Sequence, residues 1–179
     1  MVQKYKKLDK ILELYYRNPD YQFTVREISK ETNIAKSTVQ LYLKILKKNN
    51  LVSKNNKAIV SDYFKIKKIN YYVEKLFECG LIDYLKQKLN PSCIMLFGSI
   101  RKGDSVKDSD IDLFVETHNK SQLNLFKFEK KLKQKIQLFI ETDIKKLHSK
   151  LFNNVVNGIK LYGSFKIKWW IGANVKVSS

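Results

Sequence analysis

The chain has 179 residues, 44% of them hydrophobic, and carries 35 Lys+Arg against 17 Asp+Glu for a formal net charge of +18. That balance excludes an acidic solvating tail and makes a polyanion the first partner to consider, while the apolar share excludes wholesale disorder. No apolar run approaches bilayer length and Cys79 and Cys93 form no Cys-x-x-Cys pair, so a membrane span, a disulfide scaffold and a structural zinc site are not expected.

Three helical patterns occupy the first ~50 residues. Leu8, Ile11, Leu12 and Tyr15 recur at helical spacing and stop before Asn18 and Pro19. Thr24 and Glu27 have capping-box spacing, which opens a short helix from residue 25 to about residue 31. Asn33 suits the turn that follows. A third helix starts near Lys36, sets Val39, Tyr42, Leu43 and Leu46 on one face, and stops at Lys47, Lys48, Asn49 and Asn50. The apolar stretches 51–53 and 58–60 flank the polar residues 54–57 and read as a hairpin with a basic tip.

Helix, short helix, turn and longer helix is the order of a helix-turn-helix. With the hairpin as a wing, residues ~5–67 resemble winged helix-turn-helix regulators, on the stretch 34–52 above all. In that fold the start of the third helix enters the major groove. Ser37, Thr38 and Gln40 can reach base edges there, while Lys36, Lys44, Lys47 and Lys48 suit phosphates, with Lys54 and Lys57 at the wing tip. Residues 1–68 hold 16 Lys/Arg against 6 Asp/Glu, and residues 69–179 hold 19 against 11, so the excess per residue is larger in the first segment. Double-stranded DNA is the expected partner, with a protein-interaction winged helix as the alternative. Lysine supplies all but Arg17, Arg26 and Arg101 of the basic residues, which also fits an AT-rich coding bias.

A helical pattern over residues 71–89, with Gly80 as an interruption, closes at Asn90 and Pro91. The run 93–97 reads as a buried strand that leads directly into Gly98 and Ser99. Ten residues on, Asp110 and Asp112 open a second apolar strand to residue 116. At i and i+2 of a strand both carboxylates face one side, with Ile111 and Leu113 on the other. Two such carboxylates bind hard divalent cations, and Gly98 and Ser99 offer backbone approach and hydroxyl and N–H donors to a phosphate. A phosphate cradle beside a metal pair is what nucleotidyl transfer requires.

These residues, from Leu96 through Leu113, resemble the DNA polymerase beta-like nucleotidyltransferase superfamily, and especially its minimal members: Gly-Ser, ten residues, Asp-x-Asp, with Arg101, Gly103 and Ser109 also in place. The resemblance covers residues ~71–162. It implies a small mixed sheet with helices, ATP or another NTP as donor, Mg2+, and transfer of a nucleotidyl group to a hydroxyl. It assigns Gly98, Ser99 and Arg101 to the nucleotide, and Asp110 and Asp112 to metal and catalysis. Family members commonly carry a third carboxylate on the next strand, residues 135–141 here, where Gln137 stands instead. Gln cannot take a proton at neutral pH and is a weak metal ligand. Glu141 shares its face but lies about 13 Å along the strand. Weak or lost catalysis is therefore expected beside NTP and metal binding.

The expected architecture is α+β: a winged helix-turn-helix over residues 1–68, then a small mixed-sheet nucleotidyltransferase fold over 69–179 with a C-terminal strand extension. In the family such domains often act as antitoxins that adenylylate a small helical toxin of the HEPN type, and a fused winged helix would suit repression of their own operon. A regulator with a degenerate, nucleotide-sensing transferase domain is the alternative, and an enzyme acting on a nucleic-acid or small-molecule hydroxyl is a third. Winged-helix regulators also suggest a homodimer. The start lacks the apolar stretch of a secretion signal, so a cytoplasmic location is expected. His118 and His148 read as surface residues, and the Lys-rich run 127–135 as a helix with a solvated face. Residues 165–171, with Trp169 and Trp170, read as a further strand.

Overall fold

A computed structural model describes residues 2–166, with side chains from residue 7 onward. The first three helices are α1 (Val2–Arg17), α2 (Val25–Thr32) and α3 (Lys36–Lys48). At α2 the Thr24 hydroxyl accepts the Glu27 N–H at 3.2 Å, and the Glu27 carboxylate accepts the Thr24 N–H at 2.7 Å, completing the expected capping box. Asn33 ends α2 in the left-handed region, at φ 55°. Ile11, Tyr15, Ile28, Val39, Leu43 and Leu46 form the core between these helices.

The wing is shorter than the two apolar stretches suggested. A single antiparallel bridge joins Val52 to Ala58, and Ile59 and Val60 are exposed. Only Leu51, Val52 and Ala58 face the core, so two partners remain for a ladder that would need more.

A longer helix than expected follows. Ser61 accepts the Phe64 N–H and caps α4 (Asp62–Glu78), which begins nine residues before the predicted start. Phe64 closes the first core, and Tyr72 and Leu76 enter a second. Gly80, at φ +82°, separates α4 from α5 (Leu81–Leu89).

The four strands are β1 (Cys93–Phe97), β2 (Ile111–Glu116), β3 (Ile136–Glu141) and β4 (Ile159–Gly163), in the order β3-β2-β1-β4. β2 and β3 run parallel and the other pairs antiparallel, which makes the sheet mixed. Central β1 is buried throughout, as its unbroken apolar run requires. Ile94, Leu96, Ile111, Leu113 and Val115 pack with α5 and Phe128 on one face. Met95, Phe97 and Phe114 pack with Ile144 and Val155 on the other. The remaining helices are α6 (Gly98–Lys102), α7 (Phe126–Leu132) and α8 (Ser149–Val156). The expected Lys-rich helix ends at Leu132, because Lys133 turns left-handed (φ 56°) to feed β3. His118 is exposed, and His148 caps α8 by accepting the Leu151 N–H at 3.5 Å. Trp169 and Trp170 lie outside the described residues, as does all of the predicted last strand beyond Lys166. Among the described residues no helix is long and apolar enough to cross a membrane.

Candidate active site

Register assembles the site. β1 pairs with β2 so that Phe97 stands opposite Asp112, and Gly98 follows at the strand end. Gly98 has φ +73°, and a Cβ there would lie 2.9 Å from the Asp112 Cγ and closer still to its Oδ2. Only glycine lets the turn into α6 pass this carboxylate. The Gly-Ser turn and the Asp-x-Asp strand, ten residues apart in sequence, are thus in contact.

Asp112 is half-buried on the face that Phe114 shares, while Asp110 is exposed just ahead of β2. Burial first, and then the charge of Asp110, raise the Asp112 carboxyl above its ordinary value. A cation between the two carboxylates would relieve both effects. Asp110 and Asp112 therefore fit a hard divalent ion, although among the described residues no group of three or more His, Cys, Asp or Glu could hold one.

β3 explains the missing third carboxylate. Its parallel register sets Gln137 beside Asp112, and Glu141 beside Glu116 at the far end of the sheet. Glu116 is itself engaged, accepting the Ser92 hydroxyl at 2.7 Å and the Ile144 N–H at 3.0 Å. The donor set next to Asp112 is thus one neutral amide where a carboxylate would give a stronger ligand and a base.

The connector from α6 to β2 is folded tightly. Asp104 N–H donates to the Ser99 carbonyl at 3.0 Å, and the Ser109 hydroxyl accepts the Val106 N–H at 2.8 Å. Ser99 and Arg101 are half-buried on α6. From Asp110 an open cleft of about 620 Å³ runs past Lys107 and Ser109 to Glu129, Lys133, Gln134 and Lys135. That volume lies within the range of small-molecule sites. Gln134 donates to the Ser109 carbonyl at 2.8 Å, and Glu129 accepts the Ile136 N–H at 3.0 Å, which ties α7 and β3 to the connector.

Residues 80–167 match the family model described as polymerase beta, nucleotidyltransferase. The second unit is a nucleotidyltransferase domain of this family. Family members use a nucleoside triphosphate and a divalent metal, in accord with the two carboxylates of this transferase domain. Residues 22–54 match the model described as bacterial regulatory protein, arsR family, so a regulatory helix-turn-helix precedes the transferase domain. Comparison with curated proteins and with solved structures gives no match.

On that helix-turn-helix, Lys36, Ser37, Gln40 and Lys44 are exposed on α3 and Thr38 is half-exposed, opposite the buried Val39, Tyr42, Leu43 and Leu46. Lys54 and Lys57 are exposed on the wing. Two of the lysines have structural partners: Lys47 donates to the Lys54 carbonyl at 3.0 Å, holding the wing to α3, and Lys57 pairs with Asp20 at 3.3 Å. Lys65 and Lys68 of α4, which contact the connector, were not singled out by sequence reasoning.

Proposed function

We propose that the protein binds double-stranded DNA through α3 and the wing, and binds ATP or another NTP with Mg2+ at Gly98, Ser99, Arg101, Asp110 and Asp112. The observation that carries the nucleotide reading is the contact of Gly98 with the Asp112 carboxylate, which joins a glycine turn to a pair of acidic oxygens. A bound Mg2+ would supply neutralisation of phosphate charge. The chain's own contribution is to hold the triphosphate at the turn into α6 and to present one carboxylate from β2, Asp112, and one just ahead of it, Asp110. The reaction is transfer of a nucleotidyl group, AMP in the case of ATP, to a hydroxyl of a protein or nucleic acid: the hydroxyl oxygen bonds to the α-phosphorus, the α–β phosphoanhydride bond breaks, pyrophosphate leaves and the hydroxyl proton passes to solvent. An autoregulating antitoxin acting on a small helical HEPN-type toxin fits this pairing of modules, in the cytoplasm and as a homodimer.

Gln137 beside Asp112 favours a second reading, a regulator whose transferase domain binds nucleotide and turns over slowly or not at all. One assay separates them. Wild type, Asp110→Ala and Gln137→Asp are incubated with labelled ATP, Mg2+ and candidate acceptors. The weakened-transferase reading expects little label with wild type and more with Gln137→Asp. Robust wild-type transfer that Asp110→Ala abolishes establishes the active enzyme instead. Failure of wild type to bind Mg·ATP at all defeats both.

A further inference from the structure

Helix α4 precedes the residues matched to the transferase family, yet it grips the connector of the candidate site. Gly103 has φ +75°, and a Cβ there would lie 2.6 Å from the Lys65 Cβ, so α4 seats directly on this turn. Lys65 Nζ pairs with Asp104 at 2.7 Å. One helical turn later Lys68, only 1% exposed, donates to the Ser105 carbonyl. Lys68 has no ion-pair partner among the described residues. Burial pushes its ammonium down to about 8, with Asp104 opposing that effect and Lys65 adding to it.

A buried lysine without a carboxylate costs stability that an apolar side chain of the same length would not. What the ammonium supplies here is a fixed hold on the backbone of the turn. From that turn the Asp104 N–H donates to the Ser99 carbonyl at 3.0 Å, and the Gly103 N–H is shared between the Ile100 and Ser99 carbonyls, which leads to the glycine cradle. The same helix carries Phe64 into the winged-helix core and Tyr72 and Leu76 into the transferase core.

We propose that Lys65 and Lys68 are positioning residues of the nucleotide site, setting the Gly98–Ser99 turn from a helix shared with the DNA-binding module. The inference rests on the nucleotide reading of that turn. Neither lysine touches the nucleotide; each acts through the Gly103-Asp104-Ser105 backbone. Groups that directly support a metal ligand change affinity by about tenfold to a hundredfold when removed, and these lysines, one step further out, are expected at or below the low end of that range.

The test uses the full chain and Lys68→Met, an unbranched apolar side chain one atom shorter that removes the donors. Mg·ATP affinity by titration calorimetry is expected to fall about tenfold. Amide hydrogen exchange in the nucleotide-free protein is expected to quicken over residues 99–109 and to stay unchanged in α2 and α3. Lys65→Asp should weaken binding, and the swap Lys65→Asp with Asp104→Lys should recover it, a rescue that loss of general stability would not produce. Should Lys68→Met fail to fold, Asp104→Asn at the exposed end carries the same test, with an expected loss of about two- to fivefold. Folded variants with wild-type affinity and unchanged exchange in the connector overturn the proposal. A wild type that binds no Mg·ATP removes the nucleotide reading itself, and this inference with it.

Discussion

Substituting Gly98 with alanine tests the site at its tightest point. The residue sits at φ +73°, where an L side chain costs about 1–2 kcal/mol. The added Cβ would also lie 2.9 Å from the Asp112 Cγ and nearer to Oδ2. Pairing with Phe97 on one side and Gln137 on the other prevents the Asp112 backbone from retreating, so the carboxylate must rotate away from its place. Gly80→Ala is the matched control. It imposes a similar strain at φ +82°, but nothing lies within 4 Å of its new methyl. Strain alone should lower the melting temperature of both variants by about 2–8 °C. Only Gly98→Ala should also weaken Mg·ATP binding, by about tenfold or more, as the Asp112 carboxylate proposed to hold the metal moves. Calorimetric titration below the melting transition separates the two effects. Wild-type affinity in Gly98→Ala, or an equal loss in Gly80→Ala, would refute the reasoning.

Two further predictions concern the other module and the core. Lys36→Ala should weaken binding to the protein's own promoter DNA and reduce the salt slope by about 1, whereas Gln40→Ala should cost about 1–3 kcal/mol on one sequence only; equal effects on random DNA would deny Gln40 a reading role. Burial raises the hydroxyls of Tyr15, Tyr16, Tyr71 and Tyr72, the last to about 12. The unfolded chain then ionises these tyrosines first, so their contribution is complete below pH ~10 and is lost as pH rises beyond it. Lys68 has the opposite sign: its ammonium, pushed down to about 8, lets stability recover between pH 8 and ~10. Urea midpoints measured across pH 7–12 should therefore fall steeply only above pH ~10, and a flat profile to pH 12 would contradict the burial of the four rings.

Local chemistry was legible in the chain. The Thr24–Glu27 capping box, the left-handed Asn33 and the apolar faces of α1 and α3 depend on residues a few positions apart, and all are present. The Gly-Ser and Asp-x-Asp spacing likewise announced the transferase domain, although β2 starts at Ile111 and leaves Asp110 just ahead of the two-residue alternation expected to align the pair. The start of α4 was not legible, for a specific reason. Tyr63 and Ile66 are exposed while Lys68 is buried, so polar and apolar residues stand on the faces opposite to those that periodicity assumes.

What the sequence by itself determined was which elements form and which acidic pair they carry, because helix caps, turn glycines and side-chain alternation act over short spans. Only the tertiary structure decided what lies next to what. The parallel register of β2 and β3 put Gln137, and no carboxylate, at the side of Asp112. The seating of α4 on Gly103 buried Lys68 and tied the connector to the winged helix. Register and burial arise from contacts between residues tens of positions apart, where a lysine's surroundings are set by the partner surface and its own neighbours in sequence are silent.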